Sequence, residues 1–139
     1  MKRALGGGFE LDDDPERIDT GAVFDFLSNH AYWAKGRPRE LVERLIREAQ
    51  RVVGLYHDGR QIGFSRTFSD GASVTYLADV YVLPEYRGRG LGVELVRATV
   101  EEGPYKDTRW LLHTRDAHSL YEKFGFRKPA ERLLERDRR

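Results

Sequence analysis

Three glycines alternate in Arg87-Gly88-Arg89-Gly90-Leu91-Gly92, and this spacing suits the capture of an anion. Each glycine admits a positive φ, or lets a ligand approach the main chain with no Cβ in the way. Arg87 and Arg89 add charge-assisted donors. If a helix begins here, its first amides and the positive end of its dipole attract phosphate as well. A pyrophosphate fits that chemistry. The dinucleotide-binding Gly-x-Gly-x-x-Gly is absent, because Leu95 stands where its last glycine would fall, and a Walker loop would need Gly-Lys followed by Ser or Thr. The plain alternative is an Arg-Gly turn without a ligand. A second group with chemical potential is Asp79, a carboxylate inside the apolar run Leu77-Ala78-Asp79-Val80-Tyr81. An unpaired buried carboxylate is costly, so either a functional role or a structural partner must account for it.

The elements that position these groups follow from periodicity. Val23, Phe26, Leu27 and His30 recur at i, i+3, i+4 and i+7, which predicts a helix over Thr20 to His30 that Asp19 or Thr20 can cap. Leu41, Val42, Leu45, Ile46 and Ala49 share one face of a second helix, from about Pro38 to Gln50, with Pro38 in its first turn. The period then shortens. Arg51 to His57 and Gln61 to Phe68 read as a hairpin around Asp58-Gly59. From Val74 to Val82 apolar residues occupy both sides, which predicts a central strand, with Val74, Tyr76, Ala78, Val80 and Val82 on one face and Leu77, Asp79 and Tyr81 on the other. Pro84 stops it.

After the glycine loop, Leu91 to Val100 reads as a helix packed on the sheet and ended by Gly103-Pro104. Arg109 to His113 reads as a buried strand and Ala117 to Phe124 as a short helix that Asp116 can cap. Gly125 is its terminal glycine, before a final strand near Phe126. Strand, loop, helix and strand make one right-handed βαβ unit with local parallel pairing.

Composition narrows the rest. The chain of 139 residues carries 24 Lys plus Arg against 23 Asp plus Glu, so one domain without a large basic field is expected, and nucleic acid is not an expected partner. With no Cys, disulfides, a Cys-ligated metal and a thiol nucleophile are excluded, and no metal site is expected. Met1-Lys2-Arg3 starts as a leader would, but Gly6-Gly7-Gly8 stands where an apolar segment belongs. No run approaches the length that spans a bilayer. The expectation is a cytoplasmic protein without a membrane partner, with residues 1–15 and 131–139 flexible or peripheral.

Arg87-x-x-Gly90-x-Gly92, placed after Leu77-Ala78-Asp79-Val80-Tyr81-Val82-Leu83-Pro84-Glu85-Tyr86, resembles the acetyl-CoA motif of the GNAT superfamily of N-acetyltransferases. Leu120-Tyr121-Glu122-Lys123-Phe124-Gly125-Phe126 resembles that superfamily's second signature. The resemblance is detailed over residues 74–128 and architectural over 18–70. It implies a mixed α/β fold with a mostly antiparallel central sheet, splayed at the acetyl-CoA site and flanked by about four helices.

It further implies that acetyl-CoA is the cosubstrate, with its pyrophosphate on Arg87, Gly88, Arg89, Gly90, Leu91 and Gly92 and its pantetheine arm on the backbone of Val80, Tyr81 and Val82. The reaction implied is direct attack by a primary amine of a small molecule or peptide, in a monomer or homodimer. Tyr121 matches the tyrosine that acts as general acid, and a phenol with a pKa near 10 is protonated at pH 7. Asp79 and His113 are the candidate bases. Thr114-Arg115-Asp116-Ala117-His118 replaces a segment that often holds an Asn in the family, so no role is carried over there. The acceptor site is expected between the first two helices and the central strand, where Tyr32, Trp33 and Arg37 fall. A non-catalytic acyl-CoA sensor is the alternative.

Overall fold

The computed structural model describes residues 1–138. Six strands form a single sheet in chain order: β1 (Lys2–Gly6), β2 (Phe9–Asp12), β3 (Arg51–His57), β4 (Arg60–Ser69), β5 (Val74–Val82) and β6 (Arg109–Leu111). All neighbours pair antiparallel except β5 and β6, which are parallel. The helices are α1 (Thr20–His30), α2 (Arg39–Glu48), α3 (Leu91–Val100) and α4 (His118–Glu122). This is the mixed, mostly antiparallel architecture that the sequence resemblance implied.

Two apolar layers cover the sheet. Val23, Phe26 and Leu27 of α1 and Val42 of α2 pack with Val52, Phe64 and Tyr81 on one side. Leu91, Leu95 and Ala98 of α3 pack with Leu11, Val53, Leu55 and Ile62 on the other. A third cluster joins Leu77 of β5, Val96 and Val100 of α3, and Tyr121 of α4. The Asp19 side chain accepts from the Ala22 amide, so the predicted cap of α1 is present.

Three expectations are corrected. The first 15 residues do not merely hang at the edge: β1 and β2 extend the sheet, and Leu11 is fully buried. The run Gly6-Gly7-Gly8 is the turn of this hairpin, with φ of 84°, 61° and 83°. No strand forms near Phe126, because the chain turns at Gly125 with the Phe126 amide donating to the Tyr121 carbonyl. Asp116 does not cap α4; Thr114 Oγ1 accepts from the Ala117 amide instead.

Candidate active site

The site begins with a bulge in β5. Tyr81 pairs with Phe64 and Ala78 with Arg66, so Asp79 and Val80 together face the single residue Ser65. Asp79 takes a φ of 56°, in the left-handed region that Asp tolerates better than most side chains. The bulge breaks the expected alternation of faces. Leu77 and Val80 pack with Val96 and Val100 of α3, whereas Tyr81 stacks on Phe26 of α1. Asp79 stays on Tyr81's side, as alternation predicts, but the bulge separates both from Leu77, which alternation would place with them.

There its carboxylate is fully engaged. Trp33 Nε1 donates to Oδ1 at 2.9 Å, while Arg37 Nη1 at 3.0 Å and Arg66 Nε at 2.9 Å both donate to Oδ2. The side chain is 3% exposed. Burial alone would push its pKa up, but the Arg66 and Arg37 guanidinium groups outweigh that and hold the carboxyl below its usual value. Trp33 and Arg37 lie in the α1–α2 connection, which is tied to α1 by the Gly36 amide on the Ser28 carbonyl. Sequence reasoning placed Trp33 and Arg37 near the site and missed Arg66. The signal was a cation within the apolar run of β4, directly across the ladder from the strand holding the lone carboxylate.

On its other side β5 loses its neighbour even before the bulge. Pairing with β6 runs only from Val74 with Arg109 to Tyr76 with Leu111, and β5 continues unaccompanied on that side to Val82. His113 was expected inside β6 and lies past its end. The sheet therefore opens between the two strands at the level of Val80 to Val82. Val82's carbonyl accepts from Arg87 Nε at 3.0 Å, and Tyr81 contributes main chain only, its ring being buried against Phe26.

The loop after this opening has the conformation its glycines allow. Arg87 is extended (φ −72°, ψ 159°) and Gly88 takes the positive φ of 79° that a glycine admits. Gly90 is the left-handed N-cap of α3, with φ 76° and no side-chain cap. Gly92 is different: it is helical, and a Cβ there would meet nothing within 4 Å. Neither backbone strain nor internal packing requires that glycine, so the position is open to close approach from outside the chain. Among the described residues the amides of Gly90, Leu91, Gly92 and Val93 donate to no protein acceptor. Arg87 and Arg89 are exposed beside them, Arg89 lying over the Tyr86 ring.

A cavity of about 310 Å³ lies behind the opening, lined by Trp33, Arg37, Asp79, Val80, His113 and Tyr121 among others. All three candidate catalytic side chains thus meet in one space. A larger groove of about 760 Å³, between α2 and β3, contains none of them. Tyr121 is buried, and its hydroxyl makes no hydrogen bond among the described residues. Burial, helped by Tyr32 and Asp116, pushes its pKa up to about 12. His113 is largely exposed. Its Nδ1 meets the Tyr76 hydroxyl and its Nε2 meets the Glu135 carboxylate.

A family model described as an acetyltransferase (GNAT) domain matches residues 48–128, which span β3 through α4 and both glycine-bearing motifs. The chain belongs to the GNAT acetyltransferase family. This acetyltransferase is 39% identical to a Xanthomonas campestris pv. campestris protein assigned to the GNAT family, whose crystal structure superposes with a TM-score of 0.87 over 93% of this chain and 92% of that one. A structure from methicillin-resistant Staphylococcus aureus, of unknown function and inferred to be an acetyltransferase, is 25% identical with a TM-score of 0.78, covering 94% of this chain and 98% of that one. An inferred acetyltransferase of Gibberella zeae is 24% identical over 87% of this chain and 80% of its own length. The GNAT fold of this enzyme thus extends well beyond the two motifs.

Proposed function

We propose that the protein transfers an acetyl group from acetyl-CoA to a primary amine of a small molecule or peptide, by direct attack in a ternary complex. The observation that carries this reading is the Gly92 position: a glycine the fold does not require, at a helix start whose amides have no acceptor, beside two arginines. A cradle that a Cβ would fill fits a diphosphate. When bound, acetyl-CoA supplies the acetyl thioester.

In this reading Gly88, Gly90, Leu91 and Gly92 offer main-chain amides to the diphosphate, and Arg87 and Arg89 screen its charge. The stretch Val80, Tyr81 and Val82 has no strand on its β6 side and offers that edge to the carrier arm, and the Val82 amide would donate toward charge developing on the carbonyl oxygen. Tyr121 holds a proton for the departing sulfur. His113 takes the base role: Tyr76, which also lines the cavity, passes its proton to His113 Nδ1 as it accepts one from the amine, and Glu135 balances the imidazolium through Nε2. Asp79 takes the positioning role, because a carboxylate with three donors already on it is a weak base. A cytoplasmic monomer or homodimer is the setting proposed; among the described residues no helix is long and apolar enough to cross a membrane.

The test is thermal unfolding with and without CoA and acetyl-CoA, followed by thiol release over a panel of amines, polyamines, amino acids, aminoglycosides and peptides. Stabilisation by CoA together with amine-dependent thiol release is expected. CoA binding with no transfer to any amine would make the protein a sensor instead.

A further inference from the structure

The charges around the cavity are unevenly distributed. In its lining two guanidinium groups, Arg37 and Arg66, share the single carboxylate of Asp79. Among the described residues no other carboxylate lies within ion-pairing distance of either. Each arginine gives Asp79 one N–H, Nη1 from Arg37 and Nε from Arg66, and a guanidinium has five to give. Both side chains are nearly buried, at 12% and 11% exposure, and both line the cavity. A cation in excess at a site of low dielectric is stabilised by an entering anion, and the planar fork of Arg suits carboxylate and phosphate oxygens.

The lining also holds a carboxylate, close enough to Tyr121 to act on its hydroxyl. This is Asp116, which contributes to the raised pKa of Tyr121. Glu135, nearer the surface, is engaged with His113. The lining therefore carries both signs, and at about 310 Å³ the cavity lies at the lower end of small-molecule sites. Resting on the acetyltransferase reading above, we infer that the acceptor is a small amine that also carries a carboxylate or phosphate, with this anion on Arg37 and Arg66 and the amine toward Tyr121. Asp79 then serves the site in a second way, fixing both guanidinium groups in place while leaving their remaining donors to the ligand.

The experiment compares matched amines that differ only in the anion: 3-aminopropanoate with propylamine, glycine with glycinamide, and phosphoethanolamine with ethanolamine. Binding to the CoA-loaded protein is measured calorimetrically, separately from thiol release. The anionic member of at least one pair should bind, and be acetylated, about tenfold or more better than its neutral partner, the discrimination expected of a charge-assisted contact. The pair with the larger ratio distinguishes carboxylate from phosphate. In Arg66→Gln the preference should fall below about threefold with CoA-dependent stabilisation retained, and Arg66→Lys should recover part of it.

Equal binding of both members in every pair, or binding of neither, overturns the inference, and the wild-type comparison decides this even if the variants fold poorly. Anion-selective binding without acetylation would leave the anion site standing and overturn the transferase reading.

Discussion

Asp79 Oδ2 and Arg66 Nε, 2.9 Å apart across the β4–β5 ladder, lock the bulge at which the central strand departs from its regular pleat. Removing the carboxylate's charge would leave Arg66 and Arg37 buried beside a neutral group. Asp79→Asn keeps a side chain that tolerates positive φ and isolates the charge. A loss of about 3 kcal/mol or more is expected, with a fall in Tm on the order of 10 °C. An unchanged melting curve would mean that the bulge is held by packing alone.

The same pair sets an acid limit. The folded pKa of Asp79 is depressed, so its contribution is present in full above the unfolded value near 3.9 and is lost as pH falls through the lower, folded value. Unfolding midpoints of the wild type should drop below about pH 4, and those of Asp79→Asn should drop less over the same range. Parallel curves for the two proteins would remove Asp79 from the acid transition.

Tyr121→Phe should lower kcat by about 10² or more while leaving CoA-dependent stabilisation intact, because the hydroxyl is asked for a proton rather than for binding. With a pKa raised to about 12, the phenol stays protonated until far above neutrality. Its ionisation should therefore produce no loss of rate between pH 7 and 10. Full activity in the Phe variant at every pH would reassign the proton donor.

Gly92→Ala separates fold from ligand. The new Cβ meets nothing within 4 Å and the position is helical, so the variant should be neutral or up to about 1 kcal/mol more stable than wild type in the absence of CoA. Its stabilisation by CoA should shrink or vanish. If the variant binds CoA as tightly as wild type, the diphosphate lies elsewhere.

The elements that build the site were legible wherever one rule acted alone. Gly88 and Gly90 have the positive φ their spacing suggested, and Tyr121 arrives behind the central strand on the short helix that the sequence indicated. Reading failed where two distant segments had to meet. The cation in β4 is a cue, but it does not by itself name Asp79 as the partner of Arg66, since that contact depends on a bulge that breaks the period-2 pattern. The hairpin of β1 and β2 was hidden for a related reason: Leu5, Phe9 and Leu11 are too few to signal strands until α3 offers a surface to cover. The contact of Glu135 with His113 joins residues 22 apart with no periodic pattern between them.

The interval between β5 and β6 has one more implication. The edge of β5 from Leu77 to Val82 that has no strand on its β6 side is open to pairing with another extended chain, another copy's frayed terminus included. If CoA occupies that edge as proposed, purified stocks kept free of it should turn cloudy sooner on storage than stocks kept saturated with it, so the ligand would also act as a preservative.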